Sequence, residues 1–183
     1  MQCVEWMDDD LLKQLEPSLI KPQPNTYGYT KALAEELVSQ YVGKFPIAIA
    51  RPSIVTASYK EPMPGWVDNL NGPTGLMVAA GKGVARSMYC NYDYNIDAIP
   101  VDMAVNGCIL LAYTTALEKP KEVKVCNVAI SDNNPISWRT SLDMGKYHIA
   151  EFPYSVCLWY PGGSYKKCWY YHRLCVFFTH LLP

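Results

Sequence analysis

A helix followed after a short turn by an apolar strand constrains the fold of this chain more than any other feature. Apolar side chains recur at close to 3.6-residue spacing and predict one helix face between 27 and 43: Leu33, Leu37, Val38, Tyr41 and Val42. Asn25 or Thr26 can cap this helix and Gly43 can end it. Residues 47–50 are apolar on both faces, as in a strand buried within a parallel sheet. Together they predict half of a βαβ unit, and therefore an α/β fold.

The rest of the chain also alternates between helical and strand patterns. The patterns predict helices over 7–15, 75–81 and 102–117, a helix from Trp138 capped by Ser137, and strands over 84–89 and 123–128. On the helix over 102–117, five apolar residues are available for packing: Met103, Val105, Ile109, Leu110 and Tyr113. Pro17, Pro22 and Pro24 predict an extended stretch after the first helix. The loop over 56–75 is rich in Pro and Gly, and loops of this length inside compact domains are often functional.

The overall composition excludes several classes of protein. The net charge is −1 and no basic stripe is present, so we expect no nucleic-acid partner. The N-terminus lacks the basic start and apolar run of a signal peptide. The seven cysteines predict buried free thiols in a reducing compartment. Cys168, His172 and Cys175 could face one side of a helix as metal ligands, but no fourth ligand is evident, and we expect no metal site.

Tyr27 and Lys31 stand four positions apart, a spacing that places two side chains on one face of a helix. The chain contains 14 tyrosines and 12 lysines, which predict about one such pair by chance. Tyr27 is the only tyrosine with a lysine four positions later. The spacing alone is therefore compatible both with a proton-donating pair and with two ordinary surface residues.

The last 35 residues are crowded with aromatic side chains, and Lys166, Lys167 and Arg173 lie among them. Aromatic and basic residues ahead of an apolar run are favoured at a membrane interface. A buried aromatic core segment is the equally open alternative. The apolar run over 174–183 is about ten residues long, whereas a membrane span needs about 20.

Five stretches of the sequence, taken in order, resemble the fatty acyl-CoA reductases, especially those of insects, which belong to the extended short-chain dehydrogenase/reductases. They are PNTYGYTKALAEELV, ARPSIV, GWVDNLNGPTGLMVAAGKG, IPVDMAVNGCILLA and LWYPGGSYKK. The resemblance implies a partial Rossmann-like α/β domain with parallel strands and helices. In that reading, residues 1–136 form the C-terminal half of the NAD(P)-binding reductase domain. Residues 137–183 form the start of a helical, aromatic-rich C-terminal region.

The resemblance also implies roles for individual residues. Tyr27 would give a proton to a carbonyl oxygen, and Lys31 would lower the pKa of the Tyr27 phenol and bond the nicotinamide ribose. Pro52, Ser53 and Ile54 match the stretch that lies against the nicotinamide side of NADPH.

The implied reaction is NADPH-dependent reduction of a long-chain fatty acyl-CoA, through an aldehyde, to a primary alcohol. We expect Met63, Trp66 and Leu70 to line an apolar channel for the acyl chain, although packing among themselves is an equally open reading for each. Lys82 and Arg86 could attract the phosphates of CoA, or be solvated charges.

Two other interpretations of the sequence remain open. The chain could belong to another extended short-chain reductase, or be a non-catalytic remnant of a fatty acyl-CoA reductase. Both ends look cut, and no glycine-rich phosphate loop follows a strand, so we expect a fragment that lacks activity by itself. For the full-length protein the resemblance implies membrane association on the cytosolic face of the endoplasmic reticulum or peroxisome.

Overall fold

The structure is a computed structural model that describes residues 6–130 and 132–181. The chain divides into two compact units. The first contains the described residues up to Ile49 together with Ala112–Val125. The second contains Ala50–Leu111 together with the described residues from Cys126 onward.

The first unit begins with helix α1, Asp9–Leu19. The side chain of Asp8 caps this helix by accepting a hydrogen bond from the backbone N–H of Leu11 at 2.7 Å. The prediction that the chain becomes extended at Pro17 is wrong, because α1 continues through this residue. The helix lacks one donor at Pro17, but the N–H of Ile20 bonds the carbonyl of Glu16 at 3.0 Å and closes the last turn.

Helix α2, Thr26–Ser39, follows and is capped by Asn25, whose side chain accepts from the N–H of Gly28 at 2.8 Å. It ends four residues earlier than predicted, and turns lead to Gly43, which adopts a φ of 84°. The predicted packing stripe is largely exposed; Leu37, for example, is 53% exposed. The stripe therefore predicted the helix correctly but not a core.

The second unit contains three strand pairs built from short strands. Strand β2 (Ile54–Thr56) pairs in parallel with β5 (Ala98–Pro100), and β3 (Ser87–Tyr89) pairs in parallel with β8 (Ser164–Lys166). The third pair, β4 (Asn95–Ile96) with β7 (Ile136–Ser137), is antiparallel. The α/β fold class with parallel strands and helices is confirmed.

Strand β1 (Ala48–Pro52) and strand β6 (Lys124–Val128) form a further two-stranded sheet. Ile47, just before β1, is buried, but residues 48–50 are only half-buried. A two-stranded sheet leaves one edge of each strand unpaired, which explains why the apolar run is not fully enclosed.

Helices α3 (Gly72–Gly81) and α5 (Trp138–Glu151) pack against each other in the second unit. Helix α3 begins three residues before the predicted start, because Pro73 lies in its first turn, where proline is favoured. The predicted cap of α5 is confirmed: the Ser137 hydroxyl accepts from the N–H of Thr140 at 3.1 Å. Helix α6 (Trp169–Val176) packs on β3 and continues into a π-helical turn, Phe177–Leu181.

Helix α4, Val101–Glu118, confirms the predicted helix but presents a different face to its neighbours. Its buried residues are Ala104, Leu111 and Thr115. At Gly107 the helix approaches β6 so closely that an added Cβ would lie 2.8 Å from a methyl group of Val128. The five residues expected to pack are all exposed, from 38% to 62%. Gly107 therefore makes the close contact with β6, Leu111 is the large apolar residue that α4 buries, and the five predicted packing residues face outward.

The described cysteines are free but none of them is buried, so that part of the expectation is wrong. Three are exposed: Cys108, Cys157 and Cys168.

The predicted boundary between residues 136 and 137 falls within β7 and stays a prediction. Across residues 6–130 and 132–181, no helix is both long and apolar enough to cross a membrane.

Candidate active site

Tyr27 and Lys31 lie on the same face of α2, one turn apart. The Asn25 cap starts the helix immediately before them and fixes Tyr27 in its first turn. The Lys31 ammonium lies over the Tyr27 ring, 5.6 Å from its centroid. This distance is within the range of a cation–π contact, about 6 Å. Both side chains are exposed, Tyr27 by 71%, so a substrate can approach the phenol from solvent.

Pro52, Ser53 and Ile54 lie in the second unit, where β1 ends and β2 begins. The N–H of Ser53 bonds the carbonyl of Val128 at 3.1 Å, and Ile54 pairs with Ala98. The Ser53 hydroxyl oxygen is buried and has no hydrogen-bond partner within the described part of the chain. A buried hydroxyl left unpaired costs about 1–3 kcal/mol, so this oxygen is suited to a ligand or water that supplies the missing bond.

A cavity of about 310 Å³ adjoins this segment, and we call it the strand-end cavity. Its lining comprises all of β2, residues 66–69 and 71–74, and Val101, which directly follows β5. Ligands of open α/β sheets bind beyond the carboxyl ends of strands, and this cavity has that position relative to β5. Its volume is at the lower end of the range for small-molecule sites, about 300–1,000 Å³.

Of the three predicted channel residues, only Trp66 lines the strand-end cavity, together with Ile54. Trp66 also lines a second, more open groove of about 550 Å³ beside the first turn of α4. Met63 is 59% exposed and Leu70 is 64% exposed, and neither lines these two spaces. The structure thus brings Ile54 and Trp66 together and leaves Met63 and Leu70 outside.

The position of Trp66 is fixed by Ser58, a residue that the sequence analysis did not single out. The N–H of Ser58 donates to the Trp66 carbonyl at 3.0 Å, and the Trp66 N–H donates to the Ser58 hydroxyl at 3.2 Å. The Ser58 hydroxyl in turn donates to the carbonyl of Met63. Ser58 is only 4% exposed. These bonds close the loop between Ser58 and Trp66, and no local sequence signal reveals them.

Asp102 holds the same loop from the other side. Its carboxylate accepts hydrogen bonds from the N–H groups of Tyr59 at 2.9 Å, Lys60 at 2.8 Å and Glu61 at 3.2 Å. These bonds stabilise the charged form and lower the pKa of Asp102 to about 2. Asp102 lies in the first turn of α4, where an acidic residue is also favourable for the helix. Its role as a clamp for the loop depends on a contact across more than 40 residues of sequence.

The two basic residues considered for CoA phosphates lie against aromatic rings. The Lys82 ammonium is 5.8 Å from the centroid of the Tyr154 ring, and the Arg86 guanidinium is 4.8 Å from that of Trp159. His172, considered as a metal ligand, is hydrogen-bonded through Nδ1 to the Ser87 hydroxyl at 2.9 Å. Among the residues that the structure describes, no cluster of His, Cys, Asp and Glu could hold a metal ion.

Comparison with known proteins matches residues 2–108 to the NAD-binding family described as Male sterility protein. Fatty acyl-CoA reductase 1 of Xenopus laevis is 49% identical over 138 residues, which are 75% of this chain and 27% of that protein. Fatty acyl-CoA reductase 1 of Gallus gallus is 47% identical over 149 residues, which are 81% of this chain and 28% of that protein. A putative fatty acyl-CoA reductase of Drosophila melanogaster is 36% identical over 189 residues, with 100% of this chain and 37% of that protein covered. The chain thus spans 27% to 37% of the length of these relatives.

A solved structure with a detectable likeness is the UDP-glucose 4-epimerase of Thermotoga maritima with UDP-glucose. It is 13% identical, with a TM-score of 0.42 over 75% of this chain and 39% of that one. A score this low carries no conclusion about the site.

Proposed function

The chain belongs to the fatty acyl-CoA reductase family of extended short-chain dehydrogenase/reductases, and we propose that the full-length protein reduces long-chain fatty acyl-CoA to a primary alcohol with NADPH. The observation that carries the proposal is the exposed Tyr27–Lys31 pair, with Lys31 Nζ 5.6 Å from the centroid of the Tyr27 ring, on a capped helix inside the matched NAD-binding segment. Family membership supports an oxidoreductase activity that uses a nicotinamide cofactor. NADPH, the aldehyde stage and the long chain are the proposed details.

The proposed chemistry assigns the proton to Tyr27. When bound, NADPH supplies a hydride in each of two reductions. In the first, the thioester carbonyl carbon gains the hydride, its oxygen takes the proton of the Tyr27 hydroxyl, and loss of the CoA thiol leaves an aldehyde. In the second, the aldehyde gains a hydride and a proton and becomes the alcohol. After each step Tyr27 is a phenolate, which the Lys31 ammonium stabilises until it recovers a proton from solvent.

We propose further contacts for the nicotinamide end of such a cofactor. Lys31 would bond the ribose hydroxyls, and Pro52, Ser53 and Ile54 would contact the nicotinamide side. The unpaired Ser53 hydroxyl supports this assignment, because a polar ligand group there would remove the penalty of burying it without a partner. Trp66, which shares the strand-end cavity with Ile54, is the best supported of the proposed acyl-channel residues. Met63 and Leu70 are proposed only as outer parts of that channel.

The test is reduction of palmitoyl-CoA by the full-length protein with NADPH and, separately, NADH. We expect Tyr27→Phe to lower kcat by about 10²–10⁴-fold, the usual contribution of a positioned proton donor. Tyr29→Phe removes a hydroxyl two residues later in the same helix and should leave kcat unchanged. Undiminished turnover by Tyr27→Phe would refute the mechanism.

A second control addresses Lys31. Tyr41 and Lys44 form another tyrosine–lysine pair nearby, with the ammonium 4.8 Å from the ring centroid, but the proposal gives them no catalytic role. We expect Lys31→Met to lower kcat and weaken NADPH binding, and Lys44→Met to change neither. If the two substitutions lower kcat and NADPH binding equally, the effect comes from the loss of a surface positive charge and not from the proposed site. A wild-type protein that turns over no acyl-CoA with either cofactor would favour the non-catalytic remnant.

We also propose that the full-length protein associates with the cytosolic face of the endoplasmic reticulum or peroxisome membrane. The support is a set of strongly exposed apolar and aromatic residues near Lys166, Lys167 and Arg173: Leu158 at 77%, Tyr160 at 82% and Tyr170 at 80%. Exposed rings beside basic side chains favour the interface of an anionic bilayer. Vesicles of phosphatidylcholine and phosphatidylserine should therefore co-sediment with the protein, and Tyr160→Ser combined with Tyr170→Ser should reduce the bound fraction. If that variant binds the vesicles as well as the wild type does, this surface is not the membrane-binding site.

A further inference from the structure

Helices α3 and α5 enclose a small apolar cavity of about 40 Å³, which we call the helix-pair cavity. Leu76, Met77 and Ala80 of α3 and Leu142, Gly145 and Ile149 of α5 form half of its lining. A space of this size holds a few water-sized groups, and an apolar space of this kind favours hydrocarbon over water. Burial raises the pKa of Tyr165, which also lines it, so its phenol stays neutral.

Gly145 lines this cavity and leaves open space beside α5. It lies in the middle of α5, and a Cβ added there would meet no heavy atom within 4 Å. Glycine inside a helix is less favourable than alanine, and an unfilled space loses packing contacts. Alanine at this position would remove the first penalty, and a larger side chain would be needed to reduce the second. A guest that occupies the space gives a physical reason for the glycine.

Helix α3 contributes residues to the lining of both the helix-pair cavity and the strand-end cavity. Its first turn, Gly72 to Thr74, lines the strand-end cavity, and residues from Leu76 onward line the helix-pair cavity. With a rise of about 1.5 Å per residue, the two linings are separated by only a few ångström to about 10 Å along the helix. This separation is within the reach of a flexible hydrocarbon chain.

We propose that the helix-pair cavity receives the methyl end of the fatty acyl chain whose thioester lies at the strand-end cavity, and that Gly145 sets the longest chain accepted. This inference rests on the proposed function, because it needs an acyl thioester at Ile54. It assigns a binding role to α5, which the proposed chemistry does not use.

The test is the chain-length profile of the full-length Gly145→Leu variant with octanoyl-, lauroyl- and palmitoyl-CoA. Leucine would fill the cavity, so we expect kcat/KM for palmitoyl-CoA to fall about tenfold or more relative to octanoyl-CoA, the scale of one unaccommodated methylene group. Ala150→Leu is the matched control, since it adds a leucine to an exposed position of the same helix. The same profile for both variants would overturn the inference. If Gly145→Leu does not fold, Gly145→Ala adds a smaller side chain at the same position. We expect it to shift the chain-length profile in the same direction by a smaller amount.

A binding measurement separates this inference from the proposed function. Palmitate should raise the unfolding temperature of the wild-type protein and of Ala150→Leu, but not of Gly145→Leu. If the wild type reduces no acyl-CoA and this pattern still holds, the proposed function fails while the cavity assignment stands. If palmitate stabilises Gly145→Leu as much as the wild type, the cavity assignment fails whatever the activity.

Discussion

The substitution Gly75→Ala gives the sharpest test of how α3 meets the loop before it. A Cβ at Gly75 would lie 2.0 Å from the carbonyl oxygen of Leu70 and 3.1 Å from its carbonyl carbon, whereas ordinary contacts begin at 3.4 Å. The obstacle is backbone, which cannot rotate away as a side chain can. The carbonyl of Leu70 must therefore move by roughly 1 Å or more.

Two opposing terms set the size of the effect. Overpacking of this kind costs about 1–3 kcal/mol, and alanine regains at most about 1 kcal/mol through its higher helix propensity. We expect a net loss of about 1–2 kcal/mol in the free energy of unfolding. For a domain of this size the melting temperature should fall by about 2–8 °C.

The assay is thermal and urea unfolding followed by circular dichroism, with Gly145→Ala as the matched control. The control makes the same change inside a helix where no heavy atom lies within 4 Å of the new Cβ. It should gain about 0.5–1 kcal/mol from helix propensity alone. The two substitutions should thus have opposite signs. If Gly75→Ala stabilises the protein as much as Gly145→Ala does, the close approach of Leu70 to α3 is wrong.

Two further predictions concern Asp102 and Ser53. Because the pKa of Asp102 is about 2 in the folded protein and 3.8 in the reference state, its stabilising contribution is complete above about pH 4 and is lost as the pH falls towards 2. Asp102→Asn should therefore unfold at a lower temperature at pH 7 and lose less stability than the wild type between pH 4 and 2. Asp143→Asn, at an exposed position of α5, is the control, and parallel pH profiles of all three proteins would contradict the clamp. Ser53→Ala removes the unpaired hydroxyl and should raise the free energy of unfolding by about 1 kcal/mol without ligand, while weakening NADPH binding measured by fluorescence. A destabilised Ser53→Ala protein with unchanged NADPH affinity would show that the hydroxyl has a structural partner instead.

Local chemistry was sufficient to predict several elements from the sequence. The cap of α2 at Asn25 and that of α5 at Ser137 involve groups three residues apart, so the sequence contains both partners. The shared face of Tyr27 and Lys31 follows from helix geometry once the helix is predicted. These features need no information about the rest of the chain.

Only the tertiary structure decided what surrounds those elements. Five apolar residues of α4 were available for packing, yet the helix buries Ala104 and Leu111 instead. It also places Gly107 against Val128, where the close approach of a strand requires a small residue. Asp102 accepts hydrogen bonds from residues 59–61, which are far from it in sequence. Trp66 lines the same cavity as Ile54, although the two residues belong to different segments of the chain. A sequence fixes which residues can form a helix or accept a hydrogen bond through interactions within a few positions. Which distant group supplies the contact depends on how the folded chain brings the segments together.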